Sequence, residues 1–248
     1  MKNAHFVLTS KGGVGKSLVA SLLTQWLLER GGPVVPYDND PATASLKAYR
    51  ALPVRQLQLI RNRRVDKTAY DQMVEEMVTT DADFVVDNGA SNFLELTSYI
   101  AENRLFDVLL ENGIKPIVHA PIMGGGSLLL SAGALGAMAE GLGDDIDLVV
   151  WLNEREGEIV ADGKCWTEMA TYRKWHHRFA AEVTIHALEA DTFLIAVRRM
   201  LEQALTFPEV RSSPAFNIME KSRVHQFRER IFQQLDDVLG ADRCANAA

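Results

Sequence analysis

Only two cysteines occur in the 248 residues of this chain, Cys165 and Cys244. Two thiols so far apart build no disulfide framework, which excludes a stapled secreted scaffold and points to a reducing compartment. Long unbroken apolar runs are also missing. The most apolar stretch, residues 117–139, is interrupted by His119, Pro121 and Gly124-Gly125-Gly126. It therefore reads as strand, loop and helix rather than as a bilayer span. The first residues, Met1 to Val7, lack the apolar core of a signal peptide and run into a strand-like segment. A cytoplasmic location without stable membrane insertion is the expectation. An excess of positive charge is absent as well: 26 Lys and Arg stand against 33 Asp and Glu, a formal net charge of −7. That excludes coating of nucleic acid by bulk electrostatics but leaves local basic patches open.

What is present is ordinary globular material, 47% hydrophobic and 24% charged, without repeats or low-complexity tracts. The length suits one α/β domain over residues 1–248. Strand-like runs at His5–Thr9, Val34–Tyr37, Gln58–Arg61, Asp83–Asp87, Lys115–His119, Ile146–Leu152 and Val183–Ala187 alternate with helical patterns. One of these is an amphipathic segment from about Lys16 to Arg30. The alternation predicts an α/β fold of three layers, a mostly parallel twisted sheet flanked by helices. Near the end, Val224, Phe227, Ile231, Leu235 and Val238 recur at helical spacing, predicting a terminal helix over about 219–240. Glu229, Asp236 and Asp237 dilute any basic face on it that anionic lipid would attract.

The chemistry concentrates in Ser10-Lys11-Gly12-Gly13-Val14-Gly15-Lys16-Ser17, between the first strand and the first helix. In that context glycines turn the backbone so that successive N–H groups face phosphate oxygens, and the following helix adds its positive end. Gly12, Gly13, Val14, Gly15, Lys16, Ser17 and Leu18 are thus the candidate nucleotide-binding residues. Lys16 would neutralise the β- and γ-phosphates, and the Ser17 hydroxyl would ligate Mg2+. Phe84-Val85-Val86-Asp87 is an apolar run ending in a carboxylate, as in a Walker B strand, and would hold the Mg2+ hydration shell through Asp87. Standing alone, an aspartate of this kind would as readily cap the next helix. Asn88-Gly89-Ala90-Ser91 follows as a segment in which glycine permits rearrangement.

A strict Walker A match fails because position 10 is serine. With Lys11, however, the loop has the K-G-G-x-G-K-[ST] pattern and resembles the deviant Walker A loop of the ParA/MinD family of ATPases. The resemblance implies that Lys11 reaches across a dimer interface to the partner subunit's nucleotide, so that ATP binding and homodimer formation are linked. Asp38-Asn39-Asp40-Pro41 resembles the family's D-x-D-P switch. On that match Asp40 orients or activates the attacking water, and Asp38 supports the Mg2+ shell or the loop. An ordinary turn with helix capping is the alternative for an isolated Asp-Asn-Asp-Pro. Asn153 ends the strand Leu148–Leu152, and its amide can match an adenine edge or cap a turn; in the family an asparagine there reads the base. The Asn88–Ser91 segment departs from the proline-containing sequence usual in ParA and MinD.

The first strand and loop, the Val86–Ser91 segment and Val150–Asn153 followed by Gly163-Lys164 together resemble ParA-like proteins encoded in the transfer regions of conjugative plasmids. That likeness implies a protein partner in the conjugation machinery. Arg50, Arg55, Arg61, Arg63, Arg64 and Lys67, and the run Arg173-Lys174-Trp175-His176-His177-Arg178, make DNA contact possible, against the plainer reading of solvated charged faces. Adjacent histidines point apart and no third ligand is evident, so no zinc site is expected. Paired cysteines after the Walker B run, which an iron-sulfur ATPase of the nitrogenase type needs, are absent. The rival function is a biosynthetic ligase of the cobyrinate or dethiobiotin synthetase type, built on the same loop.

Overall fold

The computed structural model of the protein describes residues 2–40, 43–61 and 64–240. Pro41, Arg63 and Cys244, named above, lie outside the described residues. In chain order the strands are β1 Lys2–Val7, β2 Val34–Asp38, β3 Arg55–Gln56, β4 Ile60–Arg61, β5 Arg64–Val65, β6 Asp83–Asp87, β7 Ile114–Met123, β8 Asp147–Asn153, β9 Val160–Ala161, β10 Lys164–Cys165 and β11 Phe179–Ile185. The helices are α1 Lys16–Glu29, α2 Thr68–Thr79, α3 Phe93–Glu102, α4 Leu105–Glu111, α5 Leu128–Gly141, α6 Ala170–Trp175, α7 Phe193–Glu202, α8 Phe207–Ser212 and α9 Ile218–Leu239.

Seven strands form one parallel sheet in the order β11-β8-β7-β1-β6-β2-β3. Its strands are apolar on both faces because helices cover both. In β6, Phe84 and Val86 enter one core with α2, α3, α4 and α5, while Val85 enters the other with α1, α7, α8 and α9. In β8, Leu148 and Val150 divide from Val149 and Trp151 in the same way. Each such side chain contributes about 1.5–3 kcal/mol by leaving water.

The structure corrects several boundaries. The strand expected at Gln58–Arg61 is not in the main sheet. The sheet edge is β3, two residues earlier, and Ile60–Arg61 pairs antiparallel with Arg64–Val65 as a separate hairpin. Burial of Leu59 at the turn of the chain takes the place of a longer edge strand. β7 runs past His119 through Pro121 to Met123. A proline fits there because the ladder to β1 ends at His119 and the strand pairs on with β8 alone. α1 is buried more widely than the amphipathic segment expected: Leu18 to Leu27 are all buried, because α9 covers the side turned away from the sheet. Trp26 Nε1 donates to Asp236 at 2.6 Å, and Arg228 pairs with Glu29 across the same contact.

α9 buries Val224, Phe227, Ile231, Phe232 and Leu235 against the body, so its apolar face is already occupied. Among the described residues, no helix is long and apolar enough to cross a membrane.

Candidate functional site

Register builds the site before any side chain does. Val7 of β1 pairs with Asp87 of β6, and Asp87 pairs with Asp38 of β2. Three loops therefore leave the same edge of the sheet side by side, at the carboxyl ends of parallel strands where such folds hold ligands. Between β1 and α1, Gly13 at φ 80° and Gly15 at φ 100° occupy left-handed backbone that a side chain resists. Gly15 is also the N-cap of α1, which has neither a side-chain cap nor an acidic residue in its first turn. The open amides and positive end of a 14-residue helix thus face this loop.

Lys16 is buried, and its Nζ donates to the carbonyl of Lys11 at 3.1 Å. Burial lowers its pKa, and the nearby carboxylates of Asp87 and Asp40 pull the other way. Asp87 lies across from it. Burial pushes that carboxyl up to about 7, with the Ser17 hydroxyl beside it and Lys16 acting against the rise, and Asp38 and Asp40 adding to it. Oxygen Oδ2 of Asp87 is buried and accepts no hydrogen bond. A buried acceptor of this kind is costly unless something completes it. The Ser17 hydroxyl and the unbonded Asp87 oxygen are a donor set that suits a hydrated Mg2+, and the glycine cradle with Lys16 suits a polyphosphate.

Asp38 is fully buried, and its carboxylate accepts the backbone N–H of Asp40 at 3.0 Å and of Lys47 at 2.9 Å. Of its two expected roles, this geometry serves the loop. Burial raises its pKa, against the pull of those backbone bonds. Asp40 accepts the amide of Thr43 at 3.1 Å, and its carboxyl rests against Gly89, where a Cβ would meet Cγ at 2.5 Å. Lys11 is half-buried at the mouth of the loop.

Asn153 ends β8 beside the phosphate loop. Its side chain is fully buried, donating to the Val14 carbonyl at 3.1 Å and accepting the amide of Arg155 at 3.2 Å. It lies so close to Gly15 that a Cβ there would come within 2.6 Å. In this structure its amide props the phosphate loop. Beyond Asn153, from Arg155 onward, lies a cavity of about 440 Å3 lined by Leu18, Arg155, His186, Leu188, Leu194 and Arg198. Its size is that of a small-ligand site. Glu154 staples the two loops around it, accepting from Ala187 N at 3.2 Å and meeting His186 Nδ1 at 3.1 Å.

Sequence reasoning passed over a buried polar chain behind the site. Trp151 Nε1 donates to His119 Nδ1 at 3.0 Å, and His119 Nε2 lies 2.9 Å from His5 Nδ1. With Nδ1 accepting, the proton of neutral His119 is on Nε2 and is donated to His5. Burial and the neighbouring His5 hold the His119 pKa well below its ordinary value. Asn92 was missed too: it reads as a helix cap, and only the fold brings it to Asn39. Three cations of the basic runs are engaged. Arg55 pairs with Glu76 and Lys67 with Glu102, while Arg178 donates to the carbonyls of Ala139, Leu142 and Gly143 at the end of α5.

Comparison with known proteins places the chain in a family. Residues 5–155 match the family described as the CobQ/CobB/MinD/ParA nucleotide binding domain. Two Escherichia coli proteins named Protein TraL are similar over nearly their whole length. One is 33% identical over 236 residues, covering 95% of this chain and 98% of that protein. The other is 31% identical over 237 residues, covering 96% and 98%. Among solved structures, the MinC:MinD cell division protein complex of Aquifex aeolicus superposes with a TM-score of 0.55 at 14% identity, covering 93% of this chain and 96% of that chain. At that identity the likeness concerns the fold.

Proposed function

Because this chain belongs to the CobQ/CobB/MinD/ParA family of nucleotide-binding domains, we propose that it is an ATP-hydrolysing switch that closes into a homodimer around Mg2+ and ATP and serves conjugative DNA transfer. One observation carries the reading: Lys16, Ser17 and the incompletely bonded Asp87 converge in a buried patch at the uncapped positive end of α1.

The loop amides of Gly12 to Ser17 and the Lys16 amine bind the phosphates. Leu18 and the adjoining cavity take the nucleoside. Ser17 and the Asp87 side would hold Mg2+, which when bound would supply charge neutralisation for the phosphates. Asp40 orients the attacking water, and Asp38 keeps the Asp40 loop in place through its backbone bonds. Lys11, at the loop mouth, reaches the nucleotide of the second copy. Exposed Leu94, at the start of α3, and exposed Leu129 and Leu130, at the start of α5, follow strand ends on this same edge and supply apolar surface for that contact. The similarity to TraL supports a partner within a transfer apparatus.

Calorimetry with Mg2+ and ATP tests the foundation. Lys16→Ala should weaken ATP binding about 10- to 100-fold, the range expected for losing a charge-assisted bond. Wild-type protein that takes up no ATP at millimolar ligand would refute the reading. Light scattering tests the switch: Asp40→Ala should bind ATP, release little phosphate and stay dimeric.

A further inference from the structure

One buried side chain joins the loop bearing Asp40 to the loop that follows Asp87. Asn92 ends the short turn Ala90–Asn92 and stands at the N-cap of α3. Asparagine there ordinarily accepts an amide from its own helix. Asn92 makes no capping bond. Its side chain turns the other way: Nδ2 donates to the Asn39 carbonyl at 2.7 Å and to Asn88 Oδ1 at 3.1 Å, which uses both amide hydrogens. The Asn39 N–H in turn donates to the Asp87 carbonyl at 2.8 Å. Asn39 is thus gripped through both its backbone groups, and Asp40 is the next residue along.

Space agrees with hydrogen bonding. A Cβ on Gly89 would come within 2.5 Å of Asp40 Cγ and 2.8 Å of Asn92 Oδ1. Gly89 has an ordinary φ of −61°, so what it supplies is room. Asp40, Gly89 and Asn92 are packed as one unit, and Asn39, Asn88 and Asn92 are all buried. Removing the Asn92 donors would strand two buried acceptors, and the Asn39 backbone would have to move to reach water.

We propose that Asn92 is a positioning residue that locks the Asp40 loop to the loop after β6, so that any shift of Gly89–Asn92 is carried to Asp40. The proposal rests on the reading of Asp40 as the group that orients the attacking water. A misplacement on the order of 1 Å at such a group can cost up to about 100-fold in rate.

The test uses the full chain with three substitutions. Asn92→Ala removes both donors, Asn92→Asp replaces them with oxygen at unchanged shape, and Gly89→Ala crowds the Asp40 carboxyl and the Asn92 amide oxygen while keeping both Asn92 donors. Each should lower kcat for ATP hydrolysis about 10- to 100-fold, with KM and the affinity for a non-hydrolysable ATP analogue within about 3-fold of wild type. Hydrogen exchange at the Thr43 and Lys47 amides should quicken in both Asn92 variants, while the β6 and α1 amides stay unchanged. Wild-type kcat together with wild-type exchange in Asn92→Ala would overturn the proposal, as would loss of analogue binding with exchange raised throughout. If the wild-type protein itself releases no phosphate, the ATPase reading fails. The exchange result then decides the coupling alone, faster exchange sustaining it and unchanged exchange sinking it.

Discussion

Asp87 pairs a functional need with an electrostatic cost. Its carboxyl is nearly sealed from water, which lifts its pKa to about 7, whereas in the unfolded chain it titrates in the ordinary range. The folded protein therefore holds this proton more tightly than the unfolded chain does. Stability from the protonated carboxyl is complete at acid pH and is lost as pH rises through 7, by roughly 4 kcal/mol at most. In the absence of nucleotide, Asp87→Asn should unfold at higher temperature than wild type at pH 8 and at nearly the same temperature at pH 4, as read by calorimetry. A wild-type advantage at pH 8 would contradict this account of the burial. The place of Asp87 at the end of β6 was legible from an apolar run ending in aspartate. Its titration was not, because desolvation depends on what α1 and the neighbouring loops lay over it.

Among the elements, α9 shows how far a pattern can be read. The spacing of Val224, Phe227, Ile231 and Leu235 predicted a terminal helix, and the helix extends from Ile218 to Leu239. Asn217 caps it through Met219 N and Glu220 N, with Glu220 completing the capping box. The sequence favoured protein over membrane as the partner of the apolar stripe, through Glu229, Asp236 and Asp237, without saying which elements it meets. The structure seats it on α1, α7 and α8, with Leu235 fully buried. Leu235→Ala should cost about 2–5 kcal/mol in urea unfolding, whereas Ile218→Ser, at 81% exposure, should stay within about 0.5 kcal/mol. Equal losses would mean the helix is not docked in this way. The sheet edge near β3 was harder to read. The apolar residues of 57–61 have strand composition, but the chain turns there and pairs with itself.

At the scale of the whole molecule, the nucleotide edge carries surface that a lone subunit leaves wet. Leu94, Leu129 and Leu130 are 72%, 64% and 66% exposed, and each opens a helix that follows a strand end on this edge. If ATP closes two copies face to face, charge placed there should block closure without touching the cradle. Leu129→Glu combined with Leu130→Glu should keep ATP affinity within about 3-fold and abolish the ATP-dependent rise in mass seen by light scattering. A double variant that still doubles in mass would move the dimer contact elsewhere.

Residues 10–17 declared their chemistry in the sequence because a phosphate cradle is contiguous: glycine conformations, a lysine and the start of a helix act over a single turn of chain. The strands ending in Asp38 and Asp87 were legible for the same reason, each being a short apolar run closed by a carboxylate. Tertiary structure alone decided which distant groups meet. It set Asn153 beneath Val14, Asn92 against Asn39, and His5, His119 and Trp151 in one line. Those meetings follow from the strand order β11-β8-β7-β1-β6-β2-β3 and its register. An apolar strand can take any central place in a parallel sheet, so its residue pattern names its faces but not its neighbours.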